Sequence, residues 1–122
     1  QLKEKIIFFL SEAKSCIQVT LRSLNKGKLK KAIKWTNNAV SYLERCEAEI
    51  SKANLQRDKF PILYNTIKWA TNHITASLMA IKITTEPFFD PRRRKDIESA
   101  VKEIKQLLEF IDRSLDEVNQ KL

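Results

Sequence analysis

One glycine and three prolines are the only strong backbone breakers in this chain of 122 residues. They fall at three places: Gly27, Pro61, and the pair Pro87 and Pro91. A β-rich fold needs many turns, and turns draw on Gly, Pro and similar residues. So few breakers leave room for a small number of long segments, which points to helices. Residues of the AVILMFWYC set make up 43% of the chain, enough apolar material for a core and too much for a disordered segment. The length suits one domain, expected to span residues 1–122.

Apolar spacing supports this reading. Leu2, Ile6, Phe9, Ala13, Cys16 with Ile17, Thr20 and Leu24 recur three and four apart, which predicts a helix over about residues 2–24. Gly27 is placed as its C-terminal cap, where a left-handed residue costs nothing without a Cβ. Leu29, Ala32 with Ile33, Thr36, Ala39 with Val40, Leu43, Cys46 and Ile50 predict a second helix over about residues 29–53. Asp58 is a candidate N-cap for a third helix over about residues 59–84, with Pro61 in its first turn. Its main stripe is Phe60, Leu63, Ile67, Ala70, Ile74, Leu78 and Ile81, and a second apolar side carries Ile62, Trp69, His73, Ala76, Ala80 and Ile83. Asp90 as N-cap and Pro91 at the first position open a fourth helix over about residues 91–121. Its stripe is Ile97, Ala100 with Val101, Ile104, Leu107 with Leu108, Ile111, Leu115, Val118 and Leu122. Four amphipathic helices with short connections predict an all-α fold, a four-helix up-down-up-down bundle. In the first hairpin Cys16 and Cys46 stand roughly 12 Å apart along the axis, too far for a disulfide, so both are expected as buried free thiols.

The formal net charge is +8 and the pI about 9.6, a balance that favours anionic partners. In an up-down bundle the connection between helices 1 and 2 shares an end with that between helices 3 and 4. That end collects eleven basic residues against three acidic ones, and the rest of the chain carries twelve of each sign. The basic set includes Arg22, Lys26, Lys28, Lys30, Lys31 and Lys34 near the first turn, and Arg92, Arg93, Arg94 and Lys95 at the start of helix 4. Cations in a first helical turn oppose the helix dipole, which suggests that they are kept for binding. Trp35 and Phe88 accompany the charge, as phosphate contact combined with base stacking requires. The competing reading makes Trp35 a groove filler, and Phe88 or Phe89 a plug at the bundle end.

Catalytic chemistry finds no foothold. His73 is the only histidine, and one histidine with two distant cysteines does not supply a zinc set. One glycine cannot build a phosphate loop. Glu44, Glu47 and Glu49 lack the Glu-x-x-His partners of a bundle di-metal site. No catalytic residue, metal or cofactor is therefore expected. No window approaches the length of a membrane span, and the short apolar run of residues 6–10 reads as part of helix 1 rather than as a leader. No membrane partner is expected, and an intracellular place, cytoplasmic or nucleoid-associated, is the simplest reading.

The resulting expectation is a non-enzymatic nucleic-acid-binding bundle, for DNA or RNA. It would be an accessory subunit or domain of a replication, transcription or RNA-processing assembly. The alternative is a protein–protein interaction or homo-oligomeric assembly module using Phe8, Ile62 and Trp69, apolar residues that point away from the main stripes.

Overall fold

Apolar positions three and four apart close into helices once each segment has a partner for its stripe. The computed structural model describes residues 1–74, 77 and 94–122. Among the described residues every regular element is helical: α1 (Leu2–Asn25), α2 (Leu29–Lys52), α3 (Pro61–Trp69) and α4 (Arg94–Lys121). Helix α3 runs on into a π-helical turn, Ala70–Ile74, which the sequence spacing did not indicate. The expected Asp90–Pro91 helix start lies outside the described residues, as do Leu78 and Ile81 of the third stripe and Ala76, Ala80 and Ile83 of its second side.

Two helix ends share one device. Gly27 has φ +72°, the Lys28 N–H bonds the Ser23 carbonyl at 2.8 Å, and the Gly27 N–H bonds the Leu24 carbonyl at 3.1 Å. That pair of bonds is a Schellman motif, which uses up carbonyls that the end of α1 leaves unpaired. The end of α2 repeats it with Asn54 at φ 52°, the Leu55 N–H on the Ile50 carbonyl and the Asn54 N–H on the Ser51 carbonyl, both at 3.2 Å. Asparagine tolerates the left-handed region because its side chain is short and polar.

The start of α3 corrects the Asp58 expectation. The N-cap is Phe60, with Pro61 at the first helical position, and residues 57–59 form a turn before it. Pro61 has no N–H to satisfy. The next two amides, Ile62 and Leu63, donate to the Glu117 carboxylate of α4 at 3.1 and 3.0 Å. The Tyr64 N–H then reaches the Phe60 carbonyl at 3.1 Å, and the Phe60 N–H the Arg57 carbonyl at 3.3 Å. The helix is capped from another helix, so a local acid is not needed. Lys121 completes the latch, donating to the Lys59 carbonyl at 2.6 Å and lying 3.7 Å from Glu117.

Residue pairs across the helices set their directions. Lys5 faces Glu49 and Thr20 faces Thr36, so α1 and α2 run antiparallel. Glu117 faces Ile62, Ser114 faces Thr66 and Phe110 faces Trp69, so α3 and α4 run antiparallel as well. Helix α1 also packs on α4, and α2 packs on α3 and its π-helical turn. Each hairpin carries one buried hydroxyl pair: Thr20 and Thr36 at 3.0 Å, Thr66 and Ser114 at 2.7 Å. Each of these hydroxyls also lies within bonding distance of the carbonyl four residues before it, so these polar groups lie inside the core without a missing partner.

The core is otherwise aliphatic. Ile6, Leu10, Ile17, Leu43, Ile50, Leu63, Ile74, Ile104, Leu107, Ile111 and Val118 are fully buried. Burying one such side chain is worth about 1.5–3 kcal/mol. Leu10 belongs to this core although the spacing selected Phe9, which is only half-buried. Leu122 ends the fourth stripe but is exposed, one residue beyond the end of α4. Cys16 and Cys46 are buried free thiols, in line with the spacing argument.

Candidate nucleic-acid interface

Between Glu12 and Glu44 the chain carries seven basic residues and no acidic one. The Gly27 turn folds this stretch back on itself, so that α1 and α2 present their cations together. Val19, Arg22, Ser23, Lys26, Lys28, Lys31 and Trp35 line a single cleft of about 220 Å³. All four cations of the cleft are exposed, and among the described residues none has a carboxylate within 4.0 Å. The Ser23 hydroxyl is already committed to the Val19 carbonyl at 2.8 Å, so it serves the helix rather than the cleft.

The start of α2 adds polarity of the same sign. Lys28 is the N-cap residue and provides no side-chain capping bond, and the first turn contains no acid. The first intrahelical bond runs from the Ala32 N–H to the Lys28 carbonyl at 3.0 Å. The amides of Leu29, Lys30 and Lys31 therefore keep the donor capacity typical of a helix N-terminus, and the helix dipole adds partial positive charge there. The arrangement suits an anion with several oxygens, such as a phosphodiester.

Trp35 sits at the edge of the core. Its indole is half-buried against the core, and its remaining face lines the basic cleft as well as the adjoining groove of Glu12, Cys16 and Tyr42. Lys30 and Lys34 are exposed but do not line the cleft. At 100° per residue Lys30 falls about 100–160° from Lys31, Trp35 and Lys28, on the side of α2 turned from the cleft, whereas Lys34 falls about 60° from Lys31 and flanks it. Of the four lysines at the start of α2, Lys28 and Lys31 line the cleft. Phe88, Arg92 and Arg93 lie outside the described residues, and so does the side chain of Arg94, whose backbone opens α4; Lys95 is exposed.

The three expected interface residues separate. Phe8, 54% exposed, stands edge-on to Phe9, which in turn packs on Tyr42 of α2. Ile62 and Trp69 are half-buried in a different place, a groove between α3 and α4 of about 340 Å³. That groove also takes in His73 of the same second apolar side, together with Lys68, Phe110 and Arg113, which belong to none of the expected stripes. His73 is exposed and stacked on Trp69, with ring centroids 5.7 Å apart, rather than held in an apolar interior.

Burial pushes the Cys46 thiol up to about 12, with the charges of Glu47 and Glu49 adding to it, and burial with Glu12 raises Cys16 as well. Neither is a ready nucleophile. Among the described residues no group of three or more His, Cys, Asp or Glu side chains is placed to hold a metal ion, and no helix is long and apolar enough to cross a membrane. Comparison with protein-family models, curated proteins and solved structures finds no match to this chain.

Proposed function

We propose that this chain is a non-enzymatic nucleic-acid-binding helical bundle, an accessory subunit or domain of a replication, transcription or RNA-processing assembly. The observation that carries the reading is the cleft at the α1–α2 turn, where Arg22, Lys26, Lys28 and Lys31 surround the open face of Trp35. Cations that track a phosphate backbone beside an aromatic platform are the two elements of single-strand and loop recognition. The reading includes the up-down-up-down order of the four helices. The antiparallel α1–α2 and α3–α4 pairs, with α4 packed on α1, support that order. It sets Arg92, Arg93, Arg94 and Lys95 at the same end as the cleft, and it needs no metal or cofactor. Intracellular nucleic acid, cytoplasmic or in the nucleoid, is the corresponding partner.

The test is a salt series. Binding of short labelled DNA and RNA, single- and double-stranded, is followed by fluorescence anisotropy between ~50 and ~200 mM salt. Four cations engaged on duplex give a log–log slope near −3.6, and engagement of the α4 start steepens it. Lys28→Gln with Lys31→Gln flattens the slope by about 1.8. Affinity that does not change with salt, or a slope untouched by the double substitution, refutes the proposal.

A second reading, a protein-interaction module, draws on one observation, the exposed ring of Phe8. Light scattering on the separated protein tests it. An oligomer that Phe8→Ser dissociates supports it, and a strict monomer at high concentration counts against self-assembly through that face.

A further inference from the structure

The α3–α4 groove has a chemistry of its own. Its floor is aromatic: the Trp69 indole lies nearly parallel to the His73 ring, with centroids 5.7 Å apart and planes at 27°. Phe110 meets the same indole edge-on, at 5.7 Å and 77°. Together they make an aromatic wall in which the His73 ring is stacked, offset, on the indole and Phe110 stands upright at its edge. A planar ring laid on that wall gains offset stacking on the indole and an edge contact with Phe110.

The charge around the wall has one sign. Lys68 and Arg113 are its only formally charged lining residues among the described ones, and both are exposed at the rim. Neither has a carboxylate within 4.0 Å among the described residues. The Thr66 hydroxyl, which also borders the groove, is turned inward to Ser114 at 2.7 Å and to the Ile62 carbonyl at 2.8 Å, so it does not compete for a guest. The volume of about 340 Å³ falls within the range of small-molecule sites and is too small for a folded partner. The π-helical turn Ala70–Ile74 supplies His73 to this wall, and such turns are frequent at functional positions.

We propose that this groove binds a small planar organic anion, an aromatic carboxylate, with its ring on Trp69 and its carboxylate on Arg113. A guanidinium fork matches a carboxylate with two parallel bonds, which a neutral amide cannot reproduce. The phosphodiester cleft at the α1–α2 turn is a separate site, so this proposal stands or falls independently of the nucleic-acid reading.

Naphthoate and its neutral counterpart naphthamide are the probes, titrated into the whole protein by isothermal calorimetry. Saturable one-to-one binding of naphthoate is expected with a Kd of roughly 0.1–1 mM, given the few atoms of the probe. Naphthamide is expected about tenfold weaker, the loss of a charge-assisted contact. Arg113→Gln, a change at an exposed residue, brings naphthoate down to the naphthamide level and leaves naphthamide unchanged. Trp69→Leu weakens both probes. Lys28→Gln with Lys31→Gln changes neither. Absence of saturation, equal affinity for both probes, or loss of naphthoate binding in the Lys28/Lys31 variant overturns the proposal. So does a dimer that occludes the groove and that Trp69→Leu dissociates.

Discussion

Glu117 is a carboxylate with almost no solvent contact that holds the first two available amides of another helix. Glu117→Ala leaves the N–H groups of Ile62 and Leu63 without an acceptor. Leu63 is fully buried and cannot turn to water, whereas Ile62 is half-exposed and partly can. Losing a charged acceptor costs about 1.5–3 kcal/mol for a buried donor and less for the accessible one. The lost dipole complement adds up to ~1 kcal/mol, and relief of the buried charge returns part of the total. The net expectation is about 3 kcal/mol, a large share of the ~5–15 kcal/mol that holds a domain folded. Glu117→Gln keeps the shape and one acceptor but turns an NH₂ toward the second donor, so about 1–2 kcal/mol is expected.

Urea unfolding followed by helical circular dichroism measures these losses, with an unchanged m-value showing that the unfolding transition is the same. Hydrogen exchange gives the local check. The Ile62 and Leu63 amides should lose protection in Glu117→Ala before Tyr64, whose N–H bonds the Phe60 carbonyl inside its own turn. A cost below ~0.5 kcal/mol, with exchange at Ile62 and Leu63 unchanged, refutes the capping role.

Other outcomes follow from single features. Gly27→Ala meets open space but keeps φ +72°, so backbone strain alone should cost about 1 kcal/mol, whereas Asn54→Gly at the matching position of α2 should be neutral or stabilising by urea unfolding. Cys46 titrates near 12 in the folded chain and near 8.5 when unfolded, so the folded state keeps a proton that the unfolded state releases. Its contribution is fully present below about pH 8.5 and falls by about 1.4 kcal/mol per pH unit above it, a slope that Cys46→Ala should lack. Thr66→Val and Ser114→Ala should show a coupling of about 1 kcal/mol in a double-mutant cycle, because the two hydroxyls are hydrogen-bonded to each other across α3 and α4.

Helix number and the first two breaks were legible because periodicity and scarce turn residues are local properties of the chain. Gly27 was legible for the same reason, since only glycine takes that conformation freely. Asp58 misled because an acid shortly before a helix is the usual local cap, and here Pro61 moves the cap to Phe60. Its replacement, Glu117, sits 54 and 55 residues from the amides it serves, and no local rule connects them. Nothing local to its own helix marks Ser114 as a core residue; its partner Thr66 comes from another helix. The second apolar side of helix 3 was legible as unusual, but its use as one wall of a groove required Phe110 from another helix. The cluster of cations around the first turn was legible, but which of them share a cleft depends on helical phase, which sets Lys28 and Lys31 beside Trp35 and turns Lys30 aside.

That distinction separates stability from binding on a single helix. Lys28, Lys30 and Lys31 occupy the N-cap and first turn of α2, where positive charge opposes the dipole by about 0.3–1 kcal/mol each. If their charge served solubility alone, acids would do as well there and would also stabilise the helix. Lys30→Glu and Lys31→Glu should therefore both raise the urea midpoint, each by roughly 0.5–1 kcal/mol of added stability. Their effects on nucleic acid should differ. Lys31 lines the cleft with Trp35, so reversing its charge should nearly abolish binding. Lys30 lies on the side of α2 turned from the cleft, so its reversal should leave most of the affinity. Equal loss from both substitutions would mean that the whole N-terminus of α2 acts as an undirected positive field. In that case the cleft would have no special standing. A loss confined to Lys31→Glu ties the tolerated cost at the start of α2 to one concave surface.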